Sequence, residues 1–201
     1  MSGLRAFAEL GFRHITDPGG MDHVLFLMVL AAIYRPRDVR AALAVVTAFT
    51  VGHSATLALA VTGWLPLPTR LVEFLIPVTI VATCAENLLV RDGGPAPWPR
   101  RYRPVLAGVF GLVHGAGFAS YLRSLFVEDV ALPLLGFNLG LEAGQVLVLL
   151  GAALLFAGAD RVLARLPLPP RAPAPPRLRV VAVSGVVAVV AAVWAAERAP
   201  W

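Results

Sequence analysis

Residues 131–157 read ALPLLGFNLGLEAGQVLVLLGAALLFA, and the single charged side chain in that run is Glu142. The run exceeds the roughly 20 residues a helix needs to cross the hydrocarbon core of a bilayer. In lipid every backbone polar group has to be satisfied within the structure, so a lone apolar run of this length is a helix. At helical spacing Asn138, Glu142 and Gln145 fall at i, i+4 and i+7 and share one polar stripe. Gly136, Gly140 and Gly144 make a second, smooth stripe well separated around the axis. Such a helix offers a polar face to a cavity and a close-packing face to a neighbour. The chain is therefore read as all-α, a polytopic transmembrane helix bundle.

The same length criterion gives about six spans, at 20–34, 40–62, 70–90, 103–122, 131–157 and 178–197. The first is short, with the Pro18-Gly19-Gly20 turn before it as a broken approach. Composition agrees: 58% of the 201 residues are hydrophobic and 14% charged, and the mean hydropathy is +0.77. The net charge of +5 comes from arginine alone, and loops 35–40, 91–103 and 161–179 hold twelve of the seventeen arginines. Charge placed in short loops between spans sets topology and is not a nucleic-acid signature, so no nucleic-acid partner is expected. The positive-inside rule puts those three loops in the cytoplasm, and an even span count then puts both termini outside it. The expected division is an extracytoplasmic N-terminal segment over 1–19, a five-helix core over 20–157, a Pro/Arg-rich cytoplasmic loop over 158–177 and a sixth transmembrane helix over 178–201. Residues 1–18 hold no continuous apolar run of the signal-peptide kind, so no cleavable leader is expected. Phe7, Leu10 and Phe12 suggest instead a short amphipathic segment lying on the membrane.

The four histidines, His14, His23, His53 and His114, all stand at or inside apolar segments. Ionisable groups at membrane depth cost several kcal/mol unless paired or solvated, which makes them functional-site candidates. Histidine and carboxylate with one cysteine, Cys84, is a donor set for borderline divalent metals. Around His14 and His23 the chain reads His14-Ile-Thr-Asp-Pro-Gly-Gly-Met-Asp22-His23, and the turn can fold His14 back over a helix start carrying Asp22 and His23. Asp22 can bind a metal directly, orient an imidazole from behind, or simply stabilise a helix N-terminus. Thr47, Thr50, His53 and Ser54 share one arc of the second span, as ligand-supporting hydroxyls or as interhelical glue. Gly111 and Gly115 bracket His114 and permit close approach of another helix. Glu86 and Asn87 stand toward the cytoplasmic end of the third span, as an exit site or as partners of Arg91. P-loop, Rossmann and nucleophile-elbow motifs are missing, which argues against ATP-driven transport by this chain alone.

The order His14…Gly20-x-Asp22-His23-x-Leu-Phe-Leu, Thr47-Ala-Phe-Thr-x-x-His53-Ser54, Glu86-Asn87, Gly111-Leu-x-His114-Gly-x-Gly117-Phe-Ala and Phe137-Asn138-x-Gly140-x-Glu142-x-Gly-Gln145 resembles the HupE/UreJ family of membrane proteins over residues 10–150. The resemblance implies a nickel or cobalt permease of the bacterial inner membrane, with His14, Asp22, His23, His53, His114 and Glu142 in the metal-site pattern. Thr50, Ser54, Glu86, Asn138 and Gln145 would be supporting groups. Secondary transport of nickel or cobalt, drawn inward by the membrane potential, is the expected function. The alternatives are an intramembrane zinc hydrolase using the same cluster and a metal sensor or assembly protein without flux. Partners expected are the bilayer and the metal ion, with a homo-oligomer and a cytoplasmic protein left open.

Overall fold

The computed structural model describes residues 3–35, 38–64, 68–89, 102–123, 131–167, 169 and 172–201. These residues are all helix and connection, with no strand among them. The helices are α1 (Gly3–Thr16), α2 (Met21–Ala31), α3 (Val39–Val61), α4 (Thr69–Leu89), α5 (Tyr102–Arg123), α6 (Ala131–Leu163) and α7 (Pro175–Glu197), with a 3-10 turn at Pro18–Gly20 between α1 and α2. By length and composition α3, α4, α6 and α7 can each cross a membrane. Helix takes in both ends of the expected loop over 158–177, because α6 runs on to Leu163 and α7 starts at Pro175. Arg91 and the acidic turn at 128–129 lie outside the described residues.

Residues 3–16, expected on the membrane surface, instead pack along the first half of α6. The glycine stripe of α6 is the reason. A Cβ on Gly136 would run into the Leu4 carbonyl, one on Gly140 into the Ala8 carbonyl, and one on Gly144 would meet Phe12 and Ile15. The contacts advance along both helices in the same direction, so α1 is parallel to α6. Further along α6, Ala152 and Phe156 pack against Ala32 beyond the end of α2. α1 and α2 therefore form one broken element that follows α6 through the bundle.

The break is written at Asp17-Pro18-Gly19-Gly20. Asp17 is held extended by the following proline (φ −67°, ψ 124°), and its carboxylate accepts the Gly19 N–H at 2.9 Å. The turn closes through the Gly20 N–H to the Asp17 carbonyl, and a new helix begins at Met21.

Two sets of helices repeat each other with inverted direction, α3–α4–α5 in one and α6–α7 with the N-terminal α1 in the other, and these are the two inverted halves of the bundle. A Cβ on Gly111 would meet the Phe49 carbonyl and the His53 N–H, and one on Gly11 would meet the Phe137 carbonyl and the Leu141 N–H. Gly52 lies against the Gly108 carbonyl as Gly140 lies against that of Ala8. The α3–α5 pair is thus the counterpart of the α6–α1 pair, helix for helix and residue for residue. Phe49-x-x-Gly52 matches Phe137-x-x-Gly140, and Gly11-x-x-His14 matches Gly111-x-x-His114. α3 and α6 run antiparallel, since Thr50 bonds Gln145 and Ser54 bonds Asn138. α4 and α7, the remaining counterparts, pack on one another. Asn87 reaches Ser184 in the first half of α7, and Phe74 meets Trp201 beyond its end.

Arginines gather at one end of this bundle. Arg179 bonds the Ala32 carbonyl and pairs with Asp160, Arg177 bonds the carbonyls of Asn87 and Leu88, and Arg103 pairs with Glu86. Replacing Gly140 or Gly52 by leucine should force backbones apart and destabilise the protein by about 3 kcal/mol or more. Gly151→Leu and Gly158→Leu, where a Cβ meets nothing, should be neutral. Thermal unfolding of the four variants in detergent checks this, and equal loss at all four positions would contradict the packing.

Candidate metal centre

The break between α1 and α2 brings two imidazoles to the middle of the bundle. His14 ends α1 one turn before the break, and His23 sits in the first turns of α2 beyond it. Their ring centroids are 4.6 Å apart. His53, brought in by the close approach of α3 to α5, is 6.0 Å from His14 and 6.1 Å from His23 between ring centroids. One ligand nitrogen from each of His14, His23 and His53 lies within 4.8 Å of the others. His114 on α5 adds a fourth ring, 5.1 Å from that of His23. The four histidines therefore meet in one cluster.

Two of the four imidazoles, those of His23 and His114, have one nitrogen held from behind. His23 Nδ1 is 3.1 Å from Asp22 Oδ1, which also accepts the His23 backbone N–H at 2.9 Å. A carboxylate can only accept, so Nδ1 carries the proton and Nε2 keeps its lone pair. On the other side the Thr79 hydroxyl donates to the Ile76 carbonyl at 2.7 Å, and His114 Nε2 lies 2.9 Å from the same oxygen. That fixes His114 as the Nε2–H tautomer and leaves Nδ1 with its lone pair. His14 Nε2, His23 Nε2, His114 Nδ1 and both nitrogens of His53 are buried without a hydrogen-bond partner among the described residues. A buried polar atom left unsatisfied costs about 1–3 kcal/mol, so this concentration of them is what a bound cation would relieve.

Aromatic rings seal the cluster. Phe118 lies tilted over His14 at 4.0 Å between centroids, Phe137 lies 5.7 Å from His14 and 6.2 Å from His53, and Phe26 and Phe49 lie 5.3 and 5.2 Å from His114. Phe49 and Phe137 are the counterpart phenylalanines of the inverted halves.

The other sequence candidates are placed differently. Gln145 accepts the Thr50 hydroxyl at 2.9 Å and Asn138 that of Ser54 at 2.8 Å, so these four residues join α6 to α3. Glu142, between them in the stripe, is exposed. Glu86 is part-buried and bonded by Tyr102 and Arg103, while Asn87 donates to the Val29 carbonyl at 2.7 Å. Thr47 is exposed. Thr79 was missed by sequence reasoning. The available signal was its place with Thr83 and Asn87 at i, i+4 and i+8, a polar line on α4.

A helical bundle with membrane-length helices defines a membrane protein, and its buried histidine cluster offers nitrogen donors that could hold a metal ion. The sequence pattern of the HupE / UreJ protein family matches residues 1–198, and the chain belongs to that family, which is associated with nickel and cobalt transport. No curated protein and no solved structure matches the chain.

Removing the groups behind the imidazoles tests the geometry. Asp22→Asn and Thr79→Val should each weaken nickel or cobalt binding by about 10–100-fold without unfolding the protein. Titration calorimetry in detergent measures it, and unchanged affinity in both variants would show that these groups do not set the tautomers.

Proposed function

We propose that the protein is a secondary permease for a divalent transition metal, nickel or cobalt, in the bacterial inner membrane. The observation that carries the reading is the convergence of imidazole lone pairs from both inverted halves on the break in the first transmembrane element. Discontinuous helices at the interface of inverted repeats are how secondary transporters hold an ion near the midplane and expose it to each side in turn. His14, His23, His53 and His114 hold the ion as neutral ligands, and Asp22 acts through His23. Glu142 stands on the exposed face of α6, so the reading gives it no direct bond to the ion. The Glu86–Tyr102–Arg103 group closes the arginine-rich end below Phe26 and opens for release.

Neutral ligands suit a cargo that has to leave. A membrane potential of 100 mV contributes about 2.3 kcal/mol per charge, so about 4.6 kcal/mol draws a divalent cation inward without nucleotide hydrolysis. With the arginine-rich end cytoplasmic and six spans, both termini face outward. A Ser2→Cys variant should react with an impermeant thiol reagent in spheroplasts. Reaction only after the membrane is opened would reverse the orientation.

The zinc hydrolase reading needs a water-accessible ligand position and a free carboxylate base, whereas Asp22 is engaged with His23 and phenylalanines close the cluster. His23→Ala and His114→Ala should each reduce accumulation of radioactive nickel or cobalt by at least about tenfold in proteoliposomes under an inward-negative potential. Undiminished uptake by both variants would defeat the permease reading. Binding that survives in a wild type without uptake would favour the sensor.

A further inference from the structure

At the arginine-rich end a groove of about 480 Å³ opens between α3 and α6, along the seam where the two inverted halves meet. Its walls are apolar, with Val39 and Leu43 on α3 and Leu149, Leu150, Ala153 and Phe156 on α6. Its end is basic: Arg35, Arg161 and Arg179 line it. Arg179 is committed, to Asp160 and to the Ala32 carbonyl, and lies over the Phe156 ring at 5.1 Å. Arg35 and Arg161 are exposed, and neither guanidinium has a hydrogen-bond or ion-pair partner among the described residues. Asp160 also lines the groove, and its buried Oδ1 lacks a partner while Oδ2 takes Arg179.

We propose that this groove is a site for one anionic phospholipid whose headgroup carries a hydroxyl, with an acyl chain between α3 and α6, its phosphate on Arg35 and Arg161 and the hydroxyl donating to Asp160 Oδ1. The dimensions agree with one leaflet. From Arg161 back to Val146 the wall of α6 runs about 22 Å at 1.5 Å per residue, and half a bilayer with its headgroups is about 20–22 Å. The charge agrees as well. Basic pockets between helices on the cytoplasmic side select anionic headgroups, and the same charge repels the divalent cargo, so the groove is not the ion's exit. Because α3 belongs to one inverted half and α6 to the other, a lipid wedged there bears on their relative movement.

The test is native mass spectrometry of the full chain released from nanodiscs containing equal phosphatidylglycerol and phosphatidylcholine. The wild type should retain one phosphatidylglycerol in preference to phosphatidylcholine. Arg35→Gln and Arg161→Gln should each lower that preference by about fivefold. Ala153→Phe, at an exposed position on the wall, should abolish retention of either lipid while the melting temperature in detergent stays unchanged. Equal preference in the Arg35→Gln/Arg161→Gln variant would overturn the proposal. So would displacement of the lipid by millimolar inorganic phosphate, which would show an anion site without an acyl groove. A dimer that Ala153→Phe converts to monomer, with lipid retention unaffected, would overturn it in favour of a second copy of the chain.

Discussion

Backbone resting on glycine is the contact on which the rest of this structure depends. In lipid there is no hydrophobic drive to press helices together, so association comes from close van der Waals packing, which small residues allow. Gly140 against the Ala8 carbonyl and Gly52 against the Gly108 carbonyl bring α1 onto α6 and α3 onto α5 at distances no side chain would tolerate. Each contact has a histidine in its next turns. His14 follows Gly11 on α1, His53 follows Gly52 on α3, and His114 stands between Gly111 and Gly115 on α5. The packing that holds the bundle also sets the depth and direction of three of the four imidazoles.

The fourth depends on the break. A continuous helix over 3–31 would carry His14 and His23 nine residues apart, far along the axis. The Asp17–Gly20 turn shortens that separation until the rings meet edge to face. It also gives Asp22 a place in the first turn of a new helix, where a carboxylate is favoured by the helix dipole and is free to hold the His23 ring. The alternatives left open for Asp22, helix stabiliser or imidazole-orienting group, are both realised by one side chain because the helix starts where the site is.

What the sequence revealed and what it hid divide along a physical line. Long apolar runs announce spans because the bilayer thickness fixes their length, and buried histidines announce a site because they are costly there. The stripe of Asn138, Glu142 and Gln145 was legible as an angle on a helix, but a stripe has no absolute orientation. Asn138 and Gln145 turn to the α3 hydroxyls, and Glu142, between them, is left exposed. α1 was legible as amphipathic, yet its apolar face fits a membrane surface and a glycine groove equally well by composition. Only the partner stripe on α6 decides between them. Thr79 stayed hidden because a threonine in an apolar helix ordinarily bonds its own backbone. Thr79 does so too, and it is the second lone pair of that hydroxyl that orients His114.

The inverted halves are alike in packing and unlike in chemistry, and the difference falls on the site. His14 and His114 are counterparts, so both halves supply an imidazole at the same structural position. The counterpart of His53 is Leu141, and α2, which carries His23, resumes only after a break that the described part of α5 does not have. A ligand set built symmetrically would hold an ion equally on both sides of the central seam. This one takes two rings from each side but from unlike positions, His53 and His114 from the α3–α5 pair and His14 and His23 from α1 and α2, which follow α6. An ion on all four rings would therefore bridge the two sides of the seam rather than belong to either.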